Sequence, residues 1–347
     1  MYKKIILLVF VFTLAACAPQ APEGPTTLTV MTHDSFAISE EVVQAFEAEH
    51  EVQVVFLASG DSGSALNKAV LTKDAPLADL LFGVDNTFLS RALDAEIFEA
   101  YDAPALAEIP AEFKLDAENR ALPVDFGDVC INYDKAYFAE KDLAVPSNLE
   151  DLLKPEYKGL LVVENPATSS PGLAFLMASI AHFGEDNYLD FWADLRENDV
   201  AVADGWETAY YTNFSASSGQ GPQPMVVSYG SSPAAEVIFA ETVLDEAPTA
   251  SILGPETCYR QIEFVGILGG TEQRDLAEAF VDFMLSAEFQ EDLPMQMFVY
   301  PVLPSAQLPN EFISHVEIPA EPASLDPALI AEMRETWIAD WTETVLK

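Results

Sequence analysis

The sequence predicts an α/β protein of two lobes, each an open sheet flanked by helices. Three observations lead there. Segments patterned as strands alternate with segments patterned as helices along most of the chain, the order that builds open α/β sheets. The 347 residues, half of them hydrophobic, exceed what one core usually organises. Polar and aromatic turns recur where predicted strands end, and such sheets hold their ligands there.

The first run opens with the strand LTVMTH (28–33) and the helix SEEVVQAFEAEH (39–50), capped by Ser39 with acids in its first turn. VQVVFLA (52–58) is a strand, GSALNKAVLTK (63–73) a helix, ADLLFGV (78–84) a buried strand and FLSRALDAEI (88–97) a helix. A second run starts near ALPVDFGDVCINYD (121–134). NLEDLLKPEY reads as a helix and KGLLVVEN (158–165) as a strand. SPGLAFLMASIAHFG starts a helix with Pro171 at its first position. NYLDFWADLREND is helical, VAVADGW (200–206) is a strand, and a helix follows it. PMVVSYG (224–230) is a strand ending in SSP, a second helix start. CYRQIEFVGIL (258–268) is a strand. RDLAEAFVDFMLSAEFQEDL (274–293) reads as one amphipathic helix with Leu276, Phe280, Phe283 and Met284 on its apolar side.

At the start, Lys3 and Lys4 precede the apolar run IILLVFVF, and Leu14-Ala15-Ala16-Cys17 closes it. A basic start, a short apolar run and small residues before the cut describe a secretion signal over residues 1–16. The run is shorter than the ~20 residues a spanning helix needs. The small pair before Cys17 resembles the lipobox of bacterial lipoproteins, in which that cysteine becomes the acylated first residue. Residues 17–27 are then a lipidated cysteine and a Pro-rich linker. AFLMASIAHF (174–183) is also too short to span a membrane and reads as a buried helix.

The 57 acidic against 16 basic residues give a net charge of −41. Such a chain repels nucleic acid and anionic headgroups and attracts cations. The acids are spread along the sequence, which suits a solvated surface, and a salty or acidic habitat accounts for them as well as a cationic ligand does. With Cys17 acylated, Cys130 and Cys258 remain, a disulfide pair in an oxidising compartment. The histidines His33, His50, His182 and His315 are scattered and show no metal spacing.

The strand-end turns are His33 to Phe36, Ser59 to Gly63, Asn165 to Gly172 and Ser228 to Pro233, with Trp206 ending a fifth strand. Ser169-Ser170 and Ser231-Ser232 sit at helix starts, where free N–H groups suit an anion or simply a capping hydroxyl. Trp206 suits either ring stacking or core packing.

The segments LTVMTHDSF, GDSGSALNKA, ADLLFGVDNTFL, LPVDFGDVCINYDK, ENPATSSPGL, VAVADGWETAY, VVSYGSSPA and FVYPVLP, followed by the tail RETWIADWTE, resemble in this order the thiamine-binding periplasmic receptors of ABC importers. The likeness covers nearly all of the chain after the signal. It implies the type II periplasmic-binding-protein fold: a two-lobed α/β fold with open mixed sheets and a hinge cleft. Lobe 1 would hold residues 28–124 with about 262–300, and lobe 2 residues 125–261 with about 301–347. The ligand implied is thiamine, its monophosphate or its diphosphate, with no cofactor. The partners implied are an ABC permease and a lipid anchor, for a monomer at the outer face of a membrane or in the periplasm that performs no catalysis.

The resemblance places Asp61, Ser62, Ser169, Ser170, Trp206, Tyr229, Gly230, Ser231 and Ser232 at ligand-contacting positions. Trp206 and Tyr229 would stack on the ligand's rings. Asp61 would serve the aminopyrimidine or the positive charge, and Ser169, Ser170, Ser231 and Ser232 with their backbone amides the hydroxyethyl oxygen or a phosphate. His33 and Phe298 stand where enterobacterial members carry Tyr and Trp, so an aromatic cage here is weaker. Gly230 replaces a hydroxyl residue. Asp85 and Asp125 suit a cleft contact or a structural turn equally. Cys130 and Cys258, without counterparts in those members, are expected to join the lobes near the hinge. The competing functions are a thiaminase I-like enzyme, with Cys130 as nucleophile and Glu256 or Glu263 as base, a ferric-ion receptor using Tyr210-Tyr211, and a polyamine receptor.

Overall fold

A computed structural model of the protein describes residues 26–347, apart from 61, 217–219, 241 and 243. The expected secretion signal (residues 1–16), Cys17 and Asp61 lie outside the described residues. The strands are β1 (Thr26–Thr32), β2 (Val52–Ala58), β3 (Leu80–Asp85), β4 (Phe98–Glu99), β5 (Leu122–Asp134), β6 (Leu161–Glu164), β7 (Ala201–Ala203), β8 (Met225–Tyr229), β9 (Thr249–Ile252), β10 (Tyr259–Leu268) and β11 (Tyr300–Pro301). Thr26 and Thr27, expected in the linker, already pair with β2.

The main sheet order is β2-β1-β3-β10-β5-β8-β6-β7. At one end β2, β1 and β3 run parallel, and at the other β8, β6 and β7 do. Parallel neighbours need crossover connections, and the helices Glu40–His50, Ser62–Leu71 and Ser170–Phe183 supply several of them. Between these ends, β10 is antiparallel to both β3 and β5, and β5 is antiparallel to β8.

β5 and β10 each pass through two hydrophobic cores. Leu122, Val124 and Phe126 of β5, with Ile262, Phe264 and Val265 of β10, join a first core around Val30, Phe82 and Phe280. Val129 and Ile131 of β5 and Tyr259 of β10 join a second core around Phe175, Trp192 and Met225. The strands thus change core at residues 127–128 and 260–261. The C-terminal helix Pro327–Leu346 closes the second core with Trp337 and Trp341, the latter edge-on to Trp192 at 5.5 Å. Val302 and Phe312 belong to the first core. A small third cluster of Val162, Ala203, Tyr210, Phe214 and Val226 carries Trp206 on its rim.

Several local expectations change. The segment 274–293 is two helices, Arg274–Met284 and Ala287–Gln296. Ser286 breaks the run by taking an extended backbone and accepting from the Phe289 N–H at 3.4 Å, the work of an N-cap. Phe280 and Met284 are buried as expected. NLEDLLKPEY forms two short 3-10 turns, Glu150–Leu153 and Pro155–Tyr157, because Pro155 offers no N–H to continue a helix. Ser39 sits at its helix start, but its hydroxyl donates to Asp292 at 2.6 Å instead of capping. Ser169 does cap, accepting from Gly172 N–H, with Pro171 in the first turn.

Cys130 and Cys258 are bonded, with Cα atoms 4.3 Å apart across 128 residues of sequence. Both are fully buried, and their strand neighbours Val129, Ile131 and Tyr259 all belong to the second core. The bond therefore staples the crossing strands to each other on the second core's side and does not run from lobe to lobe. Closing a loop of this length restricts the unfolded chain by roughly 5 kcal/mol in the entropy model, and measured losses are about 2–5 kcal/mol. A Cys130→Ala/Cys258→Ala chain is expected to lose that amount, read as a lower denaturant midpoint than the oxidised wild type. An unchanged midpoint would mean that the staple does not constrain the unfolded chain.

Candidate ligand-binding site

The site grows from a row of carboxylates on the two crossing strands and their neighbour. Glu263 of β10 lies directly across from Asp85 of β3 on one side and from Asp125 of β5 on the other. Cross-strand partners share a face and stand about 5 Å apart, so three acids line up across three strands. All three residues are buried. Asp85 is surrounded by neutral donors: Thr87 through N–H at 2.7 Å and hydroxyl at 2.5 Å, Ser170 hydroxyl at 2.5 Å, and the Gln261 amide at 3.2 Å. Ser170 opens a helix of the second core, so its bond to Asp85 crosses from one core to the other. Asp125 has no donor on either oxygen among the described residues. Burial raises the carboxyl of Asp85, against the pull of its Ser170 and Thr87 hydrogen bonds. It holds that of Asp125 well above the ordinary carboxylate range, reinforced by the charge of Glu263.

His33 joins the row from the turn after β1. Its Nε2 is 3.3 Å from Glu263 Oε1, and its ring lies against the backbone of Gly83. A Cβ at Gly83 would meet His33 Cδ2 at 2.2 Å, and the φ there is +93°, so glycine is what lets the imidazole reach the row. The turn is fixed by paired bonds between Asp34 and Gly60, N–H to carboxylate at 2.8 Å and N–H to carbonyl at 2.9 Å. That clamps the turn at 33–36 to the one holding Ser62, which is buried at the start of its helix.

Tyr229, at the end of β8, lies over Gly127, where a Cβ would stand 3.2 Å from its ring. Its hydroxyl donates to Gln261 at 3.4 Å, next to Ser170 and Asp85. Trp206 is half-buried, stacked on Tyr210 at 5.1 Å, and its indole N–H donates to Ser228 Oγ at 2.8 Å. Ser228 Oγ is 3.0 Å from Ser232 Oγ. The structure thus joins His33, Ser170 and Tyr229 through the carboxylate row, and Trp206 and Ser232 through Ser228. Of the five predicted serines, Ser62 is buried at the start of its helix, Ser169 caps its helix, Ser170 serves Asp85 and Ser232 meets Ser228, while Ser231 Oγ is buried without a partner among the described residues. Gly230 donates its N–H to the Asp128 carbonyl at 2.7 Å. Phe298 packs edge-on to the exposed Phe239 and touches none of these groups by any described ring contact.

Gln261, Glu263 as a site residue and Glu164 were not in the predicted set. Gln261 and Glu263 become visible only once β10 is placed between β3 and β5. Glu164 ends β6, and strand alternation puts it on the face of Val162, opposite Ala203, in the cluster that carries Trp206. Both of its oxygens are buried without partners among the described residues.

The competing chemistries fare differently. A bonded Cys130 has no thiolate, and only a thiolate attacks. Glu256 instead meets His182 Nδ1 at 3.1 Å. Tyr210 is buried and donates to Glu236, while Tyr211 is half exposed and edge-on to it, so the pair does not present two hydroxyls side by side. The surface hollows along Ala69–Gly270 and along Tyr133–Val145 contain none of the predicted site residues.

Residues 75–316 match the family model of the bacterial extracellular solute-binding proteins. The chain belongs to that family. The thiamine-binding periplasmic protein of Salmonella typhimurium is 32% identical over 337 residues, covering 96% of this chain and 97% of its own. That of Escherichia coli K12 is 30% identical, covering 92% and 93%. Among solved structures, a periplasmic thiamin binding protein superposes with a TM-score of 0.80 at 27% identity, covering 95% of this chain and 99% of that one. Iron-bound HitA from Pseudomonas aeruginosa, at 20% identity and a TM-score of 0.74 over 91% of this chain and 99% of that one, shares the fold. The two-core architecture is thus that of the type II periplasmic binding proteins, and the relatives are solute-binding proteins.

Burial holds the Glu164 carboxyl well above the ordinary range. The folded chain keeps a proton that the unfolded chain loses near pH ~4.3. This contribution is full below that pH and is lost as the pH rises toward the folded group's own value. Glu164→Gln, which has no proton to take up on folding, is therefore expected to exceed the wild type in stability at neutral pH by about 1–3 kcal/mol. The gap should close below pH ~4. Denaturant unfolding at both pH values measures it, and an equal gap at both would remove proton uptake by Glu164 as its cause.

Proposed function

We propose that the chain is the extracytoplasmic receptor of an ABC importer that captures thiamine or a thiamine phosphate between its two cores, without chemical change, and hands it to a membrane permease. The observation that carries this reading is the buried carboxylate row flanked by Tyr229 and His33, on a chain similar over nearly its whole length to thiamine-binding relatives. Thiamine has a fixed positive thiazolium and a flat aminopyrimidine. A desolvated cation favours carboxylates and aromatic faces, the latter at about 0.5–2 kcal/mol each. Trp206 and Tyr229 supply faces already held in place by hydrogen bonds to Ser228 and Gln261. Ser231, whose buried hydroxyl has no partner among the described residues, would take a ligand oxygen, and Asp61 remains the candidate partner of the aminopyrimidine. Acylation of Cys17, action as a monomer and the absence of catalysis complete the proposal. The acidic surface and the bonded Cys130 support the receptor over the thiaminase-like reading.

Calorimetric titration of thiamine into oxidised residues 18–347, freed of carried ligand, is expected to give saturable one-to-one heat with thiamine recovered intact. No heat with thiamine but heat with spermidine would move the receptor to polyamines, and consumption of thiamine would make it an enzyme. Trp206→Ala is expected to weaken thiamine binding by about 1–3 kcal/mol, the loss of a stacked cation face and its buried area. An unchanged dissociation constant would remove Trp206 from the site.

A further inference from the structure

We propose that Asp125 is the charge-reading residue of the site: it holds a proton against Glu263 in the empty receptor and releases it when the ligand's cation takes that proton's place. The inference rests on the thiamine-receptor reading and deepens it.

The geometry sets Asp125 apart from its neighbours. It faces Glu263 across the β5–β10 ladder, is 0% exposed, and has no donor on either oxygen among the described residues. Asp85, on the far side of Glu263, has its charge spread over Thr87, Ser170 and Gln261. β3 contributes Asp85, the turn after β1 contributes His33 at 3.3 Å from Glu263, β8 contributes the phenol of Tyr229, and β10 itself that of Tyr259. β11 places Pro301 opposite Asp125 and brings no charge there. Arg260 neighbours the row in sequence, but alternation turns it to the other face, where it forms a two-pronged pair with Asp128 at 3.0 Å. The row therefore contains three acids and one imidazole, with no lysine or arginine among the described residues.

Two carboxylates facing each other at strand spacing in a buried site do not both ionise, because desolvation and like charge both favour the neutral form of one. The empty pair is then one acid and one carboxylate. A fixed organic cation entering beside Glu263 offsets the like charge and favours the ionised form of both acids, even as the row stays dry. The balance is simple: the Asp125 O–H bond breaks, the proton passes to solvent, and the bound complex holds two carboxylates and one cation. A neutral analogue of the same shape gains nothing from this exchange, so the pair selects for charge. Burial keeps the Asp125 carboxyl protonated at pH values where a solvated aspartate is ionised, which places the exchange above the usual carboxylate range.

The test is thiamine titration at several pH values in paired buffers of different ionisation enthalpy. The wild type is expected to release up to one proton per thiamine. Its affinity should rise with pH by up to about tenfold per unit while Asp125 is protonated in the free receptor, and then level off. Asp125→Asn keeps the shape of the neutral acid, so it should fold with a thermal midpoint no lower than wild type. It should bind thiamine more weakly at high pH, with its proton release lost. Equal proton release in wild type and D125N, or thiamine binding by wild type with no proton released at any pH, would overturn the inference alone. No heat with thiamine in any buffer would overturn the receptor reading, and this inference with it.

Discussion

Acids buried on strands that pass between two cores are the constraint on which the site depends. β5 and β10 must be apolar at both ends to join the cores, and they are. Where they change core they carry Asp125 and Glu263 on one face and Asp128 and Arg260 on the other. The second pair is self-contained: guanidinium meets carboxylate, and the Arg260 group also lies 4.8 Å over the Phe126 ring. In the first pair both members are acids, and the base beside them is the imidazole of His33, 3.3 Å from Glu263. A protein tolerates a buried acid when it is paired, hydrogen-bonded or protonated. Here neutral donors serve Asp85, and a proton serves Asp125. A cation-binding cleft follows from that imbalance more directly than from the net charge of the surface.

The same strands limit how the cleft can open. The Cys130–Cys258 bond fixes β5 to β10 on the second core's side, so a change in the angle between the cores has to be absorbed beyond it, toward residues 126–128 and 260–262. The Ser170–Asp85 bond spans the two cores just there. Opening would break it and admit water to the carboxylate row, while closing over a ligand would dry the row and strengthen every charge interaction in it.

Much of this was legible in the sequence. The alternation of strands and helices, the cap at Ser169 and the strand-end turns all rest on local signals that the structure repeats, and the disulfide pair followed from the cysteine count, though not its place on the second core's side. The break at Ser286 was hidden because apolar spacing continues through it, so a periodicity reading had no reason to stop. The carboxylate row was hidden for a different reason. Asp85, Asp125 and Glu263 are far apart in sequence and become neighbours only through the insertion of β10, antiparallel, between β3 and β5, an order that no local pattern encodes. His33 was visible as a candidate, but the glycine that admits its ring, Gly83, was not. Glu164 was read as one residue of an apolar strand, and its burial without a partner required the third cluster to be known.

A crystal structure of oxidised residues 18–347 grown with thiamine tests the central claim most directly. The thiazolium is expected between the two cores, within direct reach of Glu263, with Asp125 behind it and the faces of Trp206 and Tyr229 against the ligand. Thiamine bound away from the carboxylate row, with Asp125 and Glu263 still facing only each other, would contradict it.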